Sequence, residues 1–420
     1  MLYVIFMIYK LSGIHQINSF MVVMAMMTAL VGCGGGDGTS NTGSASVSNG
    51  VPVQVTSGLQ QQFANLLVTS VTVCSPGSGA CKTIDNVQVD TGSTGLRLLA
   101  SALGGLDLPV VQGGVSSASL FECAVFATGF VWGGLARADV KLAQEVASNL
   151  PIHIIQDGVG PNVPEGCKSN GVNQSNSRNL GVNGILGVGV LRQDCGVYCA
   201  NNSANGRYFQ CLTSGACTAT TVATTNQISN PVANFTHNNN GVIIQLPSVP
   251  SNGASALSGE MVFGINTQTN NALPVDATVI PLDQTGLHAG RFTATLNARQ
   301  YPDSFIDSGS SGYFFEDASL PLCNPNASNL QMFCPGNSQS TSVQTRNVTL
   351  QDGNVFQIQV ANASYLYSQP HVAFSNLAGT ATAAMTTSID LGLPFFMGRR
   401  VFTGFNSQNN SPGYFAFKSN

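Results

Sequence analysis

Apolar and polar residues alternate in short runs along most of this chain. "FANLLVTSVTVC" (63–74), "KTIDNVQVD" (82–90), "RFTATLN" (291–297) and "VFQIQVA" (355–361) carry the period of two that puts one face of a strand in a core and the other in solvent. "FATGFVWGGLARADVKLA" (126–143) bends at a glycine, as a hairpin does, and "GVNGILGVGV" (181–190) is a short apolar run punctuated by glycines. That suits a buried strand approached closely by other backbones. Few stretches show a sustained helical stripe. The pattern predicts an all-β fold.

One strand ends unusually. "VQVDTGSTGLRLL" (87–99) runs apolar into Asp90 and turns at once, with Gly92 and Gly95 permitting the reversal, and "SFIDSGSSGYFF" (304–315) repeats this around Asp307. In each half an apolar, glycine-punctuated run follows later, the second being "DLGLPFFMG" (390–398). A chain of 420 residues has room for two such units. We expect an internal duplication with an N-terminal lobe over 51–262, interrupted by a Cys-rich insertion near 192–240, and a C-terminal lobe over 263–420.

Charge narrows the function. Only 8% of residues are charged, with 15 Lys and Arg against 19 Asp and Glu scattered along the chain, so nucleic acid is not an expected partner. The five histidines show no HExxH spacing, and neither GxSxG nor GxxxxGK[ST] occurs. No metal or other cofactor is expected. The N-terminus carries Lys10 and then "FMVVMAMMTALVGC", an apolar run too short to span a bilayer and ending in small residues, which marks residues 1–33 as an export signal. Leu30-Val31-Gly32-Cys33 resembles the bacterial lipobox, which implies that Cys33 is lipidated and anchors an exported protein to a membrane, with 34–50 as a flexible tether.

Eleven cysteines less Cys33 leave ten, an even number in a chain expected to leave the reducing cytosol. Cys74 and Cys81 flank the turn "SPGSGA" and are expected to staple a hairpin; Cys323 and Cys334 are expected to close a second loop. Pairing among Cys195, Cys199, Cys211 and Cys217 stays open.

On these residues the chain resembles the pepsin-like aspartic peptidases. Asp90-Thr91-Gly92-Ser93 and Asp307-Ser308-Gly309-Ser310 match that family's two active-site turns. Residues 183–189 ("NGILGVG") and 391–396 ("LGLPFF") are similar to the segments that cross behind them. The resemblance implies a bilobal fold in which Asp90 and Asp307 meet at the floor of a cleft that takes an extended polypeptide, in a monomer without cofactor. Two carboxylates held close share a proton, so one acts as base and the other as acid on a water molecule. The hydroxyls of Thr91, Ser93, Ser308 and Ser310 would orient them. The family's flap tyrosine is matched by Phe126, leaving Trp132 as a candidate indole donor; Arg97 stands where a tryptophan is common, and Leu393 where an aspartate is. The expected function is therefore an aspartic endopeptidase of the bacterial cell envelope. The alternative is a catalytically idle, peptidase-shaped lipoprotein that binds peptides.

Overall fold

The computed structural model describes residues 48–420 apart from 116, 159–161, 285–288, 326–330, 337–342, 382–384 and 406–412. The export signal, Cys33 and the tether up to residue 47 lie outside the described residues. Gly50, expected to end that tether, opens the first strand.

Burial follows the alternation read from the sequence: Gly50–Thr56 buries every second residue, and so does Val355–Ala361 over most of its length. Among the described residues one sheet holds fifteen strands. It starts in the Cys-rich insertion (Cys217–Ala219, Tyr208–Leu212) and passes through the hairpin Ala118–Phe126 and Gly129–Leu142. Next come Glu145–Ile155, Thr94–Leu99, Gly184–Val188, Cys81–Asp90, Leu66–Cys74 and Gly50–Thr56. It continues into Leu257–Phe263, Gly241–Leu246, Arg399–Gly404, Tyr414–Ser419 and Thr278–Pro281, strands drawn from the middle and the end of the chain. A further pairing of Thr72 with Lys141 closes the N-terminal part on itself like a barrel. The second sheet, of seven strands, is built from residues 292–391. The two sheets give a bilobal, all-β architecture, and the largest apolar cluster runs continuously from one to the other.

The strand Cys81–Asp90 shows how sequence positions the site. Its first three residues are exposed beside the Cys74–Cys81 bridge, and its last four are buried, so that Asp90 is delivered into the interior. There it lies parallel to Gly184–Val188, with Asp90 opposite Gly187. In the second half Arg299–Ile306 runs parallel to Asp390–Leu391 and delivers Asp307 in the same manner.

Five disulfides brace these elements and place the described chain in an oxidising environment. Cys74–Cys81 and Cys323–Cys334 are the two expected loop closures. The open set resolves into Cys195–Cys199 and Cys211–Cys217, and the remaining bridge joins Cys123 to Cys167. Among the described residues no helix is long and apolar enough to cross a membrane.

The Cys123–Cys167 bridge closes 44 residues and ties the hairpin strand Ala118–Phe126 to the segment that follows Glu145–Ile155. Loop-closure entropy for that length corresponds to about 4 kcal/mol. The variant Cys123→Ser/Cys167→Ser is expected to lose about 3–4 kcal/mol of unfolding free energy, read as a lowered denaturant midpoint.

Candidate active site

Asp90 and Asp307 come together. The backbone N–H of Gly92 donates to Oδ1 of Asp90 at 2.8 Å and to Oδ1 of Asp307 at 3.1 Å, so one donor serves both carboxyl groups. The N–H of Gly309 donates to Asp307 Oδ1 at 2.7 Å. Neither glycine can be replaced without collision: a Cβ on Gly92 would lie 2.4 Å from Asp307 Cγ, and one on Gly309 would lie 2.6 Å from Asp90 Oδ1. The repeated Asp-Thr/Ser-Gly grammar of the sequence is thus a packing requirement of two turns meeting face to face.

The hydroxyls predicted to orient the acids do two separate jobs. Ser93 Oγ donates to Asp90 Oδ2, and Ser310 Oγ contacts Asp307 Oδ2 at 3.0 Å. Thr91 and Ser308 instead lock the turns to each other. Thr91 Oγ1 donates to the carbonyl of Ile306 (3.1 Å) and accepts from the N–H of Ser308 (2.9 Å). Ser308 Oγ donates to the carbonyl of Val89 (2.8 Å) and accepts from the N–H of Thr91 (3.1 Å). Gln88 adds a bond from Nε2 to the carbonyl of Gly309 (2.9 Å). Because all of these groups are buried, Thr91→Val leaves a buried N–H and a buried carbonyl without partners. Thr91→Val and Ser308→Ala are each expected to cost about 2–3 kcal/mol, with a double variant costing less than the sum, as measured by denaturant unfolding.

Both aspartates are fully buried, and burial pushes both carboxyl groups above the ordinary aspartate range. For Asp307 the upward push is large and is reinforced by the charges of Asp90 and Asp390. Asp390 is a third acid that the sequence reading passed over. Its Oδ2 lies 2.6 Å from Ser310 Oγ, which also touches Asp307. The Ser310 hydroxyl thus sits between the two acids. Burial, above all, holds Asp390 well above the usual range. The signal was present in the comparison of halves: Asp390-Leu391-Gly392 stands where the first half has Ile185-Leu186-Gly187.

The flap residues part company. Phe126 ends the strand Ala118–Phe126 and packs in a cluster with Phe63, Leu66, Val131 and Ile155. Ala127, at the hairpin tip, packs against a cluster that contains Phe305, Phe314, Phe374 and Leu377 from the second half. Trp132 belongs to a different cluster, with Cys123, Cys167 and Phe130, and its ring lies 5.3 Å from Phe121 and 5.4 Å from Phe209. The hairpin is not a free two-stranded ribbon. Tyr208–Leu212 of the insertion pairs along Ala118–Phe126, with Glu122 opposite Tyr208, and Phe130 bridges to Asn173 on the other side.

Arg97 replaces an aromatic side chain with a buried charge. Its Nη1 donates to the carbonyl of Thr94 (2.8 Å) and its Nη2 to Glu122 Oε1 (2.6 Å), while His153 Nδ1 lies 2.8 Å from Glu122 Oε2. Asp194 Oδ2 lies 3.9 Å from Arg97, and Tyr208 Oη donates to Asp194 Oδ1 at 2.7 Å. Burial raises the Glu122 carboxyl, but Arg97 and His153 outweigh it and hold the group below its ordinary range; burial, aided by Glu122, pushes Asp194 up to about 8.

Two β-lobes that each deliver an aspartate to one buried contact define an aspartic-proteinase fold. The crystal structure of the aspartic proteinase from Irpex lacteus is similar to this chain, with 16% identity, a TM-score of 0.50, and coverage of 88% of this chain and 96% of that one; at this identity the likeness is one of fold. The chain itself belongs to the family described as "Protein of unknown function (DUF3443)", which matches residues 45–417. No curated protein matches it.

Proposed function

We propose that this protein is an aspartic endopeptidase that hydrolyses peptide bonds with a water molecule activated by Asp90 and Asp307. The observation that carries the reading is the single Gly92 N–H shared by two fully buried carboxyl groups, one from each lobe. Such a pair cannot ionise twice at modest cost, so it holds one proton over a range of pH. The ionised member takes a proton from water as the oxygen adds to the carbonyl carbon, and the protonated member gives its proton to the carbonyl oxygen. Collapse of the tetrahedral adduct breaks the C–N bond as the nitrogen takes up the proton gained from water and one adduct hydroxyl returns its proton to the other carboxylate, so the dyad ends with the single proton it began with. Which carboxyl ionises first is a property of the pair. The substrate is an extended polypeptide, and it reaches the acids past the hairpin tip, whose Ala127 packs against side chains of the second half. The five disulfides fit an exported enzyme, and Cys33 supplies the lipid by which it stays on the cell envelope.

The test is cleavage of a broad peptide library from acid to neutral pH by the wild type and by Asp90→Asn. Fragments that disappear in the variant support the reading. A wild type that binds peptides yet cuts none across that range sinks it and leaves the idle binder.

A further inference from the structure

The charges around Arg97 form a buried polar network outside the dyad, and they join three parts of the fold that peptide hydrolysis by Asp90 and Asp307 does not otherwise explain. Arg97 sits on Thr94–Leu99, the strand that leaves the first active-site turn, and its bond to the Thr94 carbonyl reaches back to that turn. Glu122 sits on the first strand of the hairpin, and His153, opposite Arg97 in parallel register, sits on the strand after the hairpin. Asp194 and Tyr208 come from the insertion, where the N–H of Ile228 donates to Tyr208 Oη at 2.8 Å. Ile228 itself packs on the turn so closely that a Cβ on Gly95 would lie 2.1 Å from its Cγ2. Arg97, Glu122, His153, Asp194 and Tyr208 are all buried.

We propose that Arg97 is the positioning residue of this site: bonded to Glu122 of the hairpin and to the Thr94 carbonyl, with Asp194 of the insertion beside it, its guanidinium locks the hairpin onto the Asp90 turn and packs the insertion against both. The proposal rests on the peptidase reading for its consequence, but the lock itself is a property of the fold. Charge balance agrees with it. Glu122 is held ionised, Asp194 keeps its proton up to about pH 8, and burial holds His153 neutral below its ordinary range, so one cation meets one anion. The groups facing Arg97 are Glu122, His153, Asp194, Tyr208 and Asp90, with Arg207 acting on Asp194; the positive charge of Arg97 opposes the upward push of burial on Asp90. A neutral aromatic at position 97 would supply neither the grip nor the charge.

The experiment compares wild type, Arg97→Lys and the double variant Arg97→Met/Glu122→Gln, which removes cation and anion together and leaves neither bare. Backbone hydrogen exchange is read over residues 118–126 and 208–212, and the carboxyl titration of the dyad by infrared difference spectroscopy. In the double variant, exchange in both strands is expected to speed up by about tenfold or more. The dyad titration, and with it the acid limb of any cleavage profile, is expected to move to higher pH, and Arg97→Lys to restore the titration. A folded double variant with unchanged exchange and unchanged titration overturns the proposal. If the wild type cuts no peptide, the reaction is lost but exchange and titration still decide whether Arg97 holds and charges the turn.

Discussion

Replacing either member of the dyad with asparagine is expected to cut peptide hydrolysis by a factor on the order of 10³ or more while leaving the fold intact. Asparagine keeps the shape of the side chain and an oxygen for the Gly92 and Gly309 N–H groups, so the turns survive; what is lost is the exchange of protons with water. A second consequence separates this site from an ordinary pair of turn caps. Caps that accept only backbone N–H bonds are held below the usual range and stabilise a protein as pH rises. Asp90 and Asp307 are pushed the other way, chiefly by burial. Folded protein therefore keeps protons that the unfolded chain, with aspartates near 3.8, has released. The stability this contributes is fully present below that value and is lost as pH rises through the folded pair's higher one. Wild type should lose unfolding free energy as pH rises above the aspartate value of 3.8, and Asp307→Asn should lose visibly less. Equal slopes in thermal melts of the two proteins would show that the carboxyl groups do not share a buried site.

The largest loss of stability is expected from Arg97→Met alone. It leaves the Glu122 carboxylate buried against His153 with its cation gone, and breaking one side of a buried pair costs about 3–5 kcal/mol. Adding Glu122→Gln should recover much of that cost, because the second change removes the bare charge. Denaturant unfolding of the two single variants and the double variant gives the coupling directly; additive effects would mean that the two side chains do not interact.

How much of this was legible in the chain depends on how local each signal is. The hairpin Leu66–Cys74 with Cys81–Asp90 and the Gly-punctuated strand Gly184–Val188 are written in runs of a few residues, and the structure follows them. The meeting of Asp90 with Asp307 was legible because the same turn is spelled twice and each copy must be glycine at the point of closest approach. Arg97 and Leu393 read as departures from a pattern, and there the local view failed. The acidic partners of Arg97 lie 25 residues away at Glu122 and further still at Asp194, so nothing near position 97 announces a buried ion pair. Leu393 marked a missing aspartate, yet an acid reaches Ser310 from Asp390, three positions earlier in the chain. The Cys123–Cys167 bridge is likewise invisible to spacing, since its two ends belong to a hairpin strand and to a short helix, Glu165–Lys168, brought together only by the folded sheet.

The central claim is that Asp90 and Asp307 act on one oxygen atom. Its most direct test is calorimetric binding, at pH 5, of peptides in which the scissile amide is replaced by a secondary alcohol, whose hydroxyl takes the place of the attacking water. The account predicts that wild type binds such a peptide far more tightly than the parent amide, and that Asp90→Asn and Asp307→Asn each abolish the gain. A gain retained in either variant would contradict it.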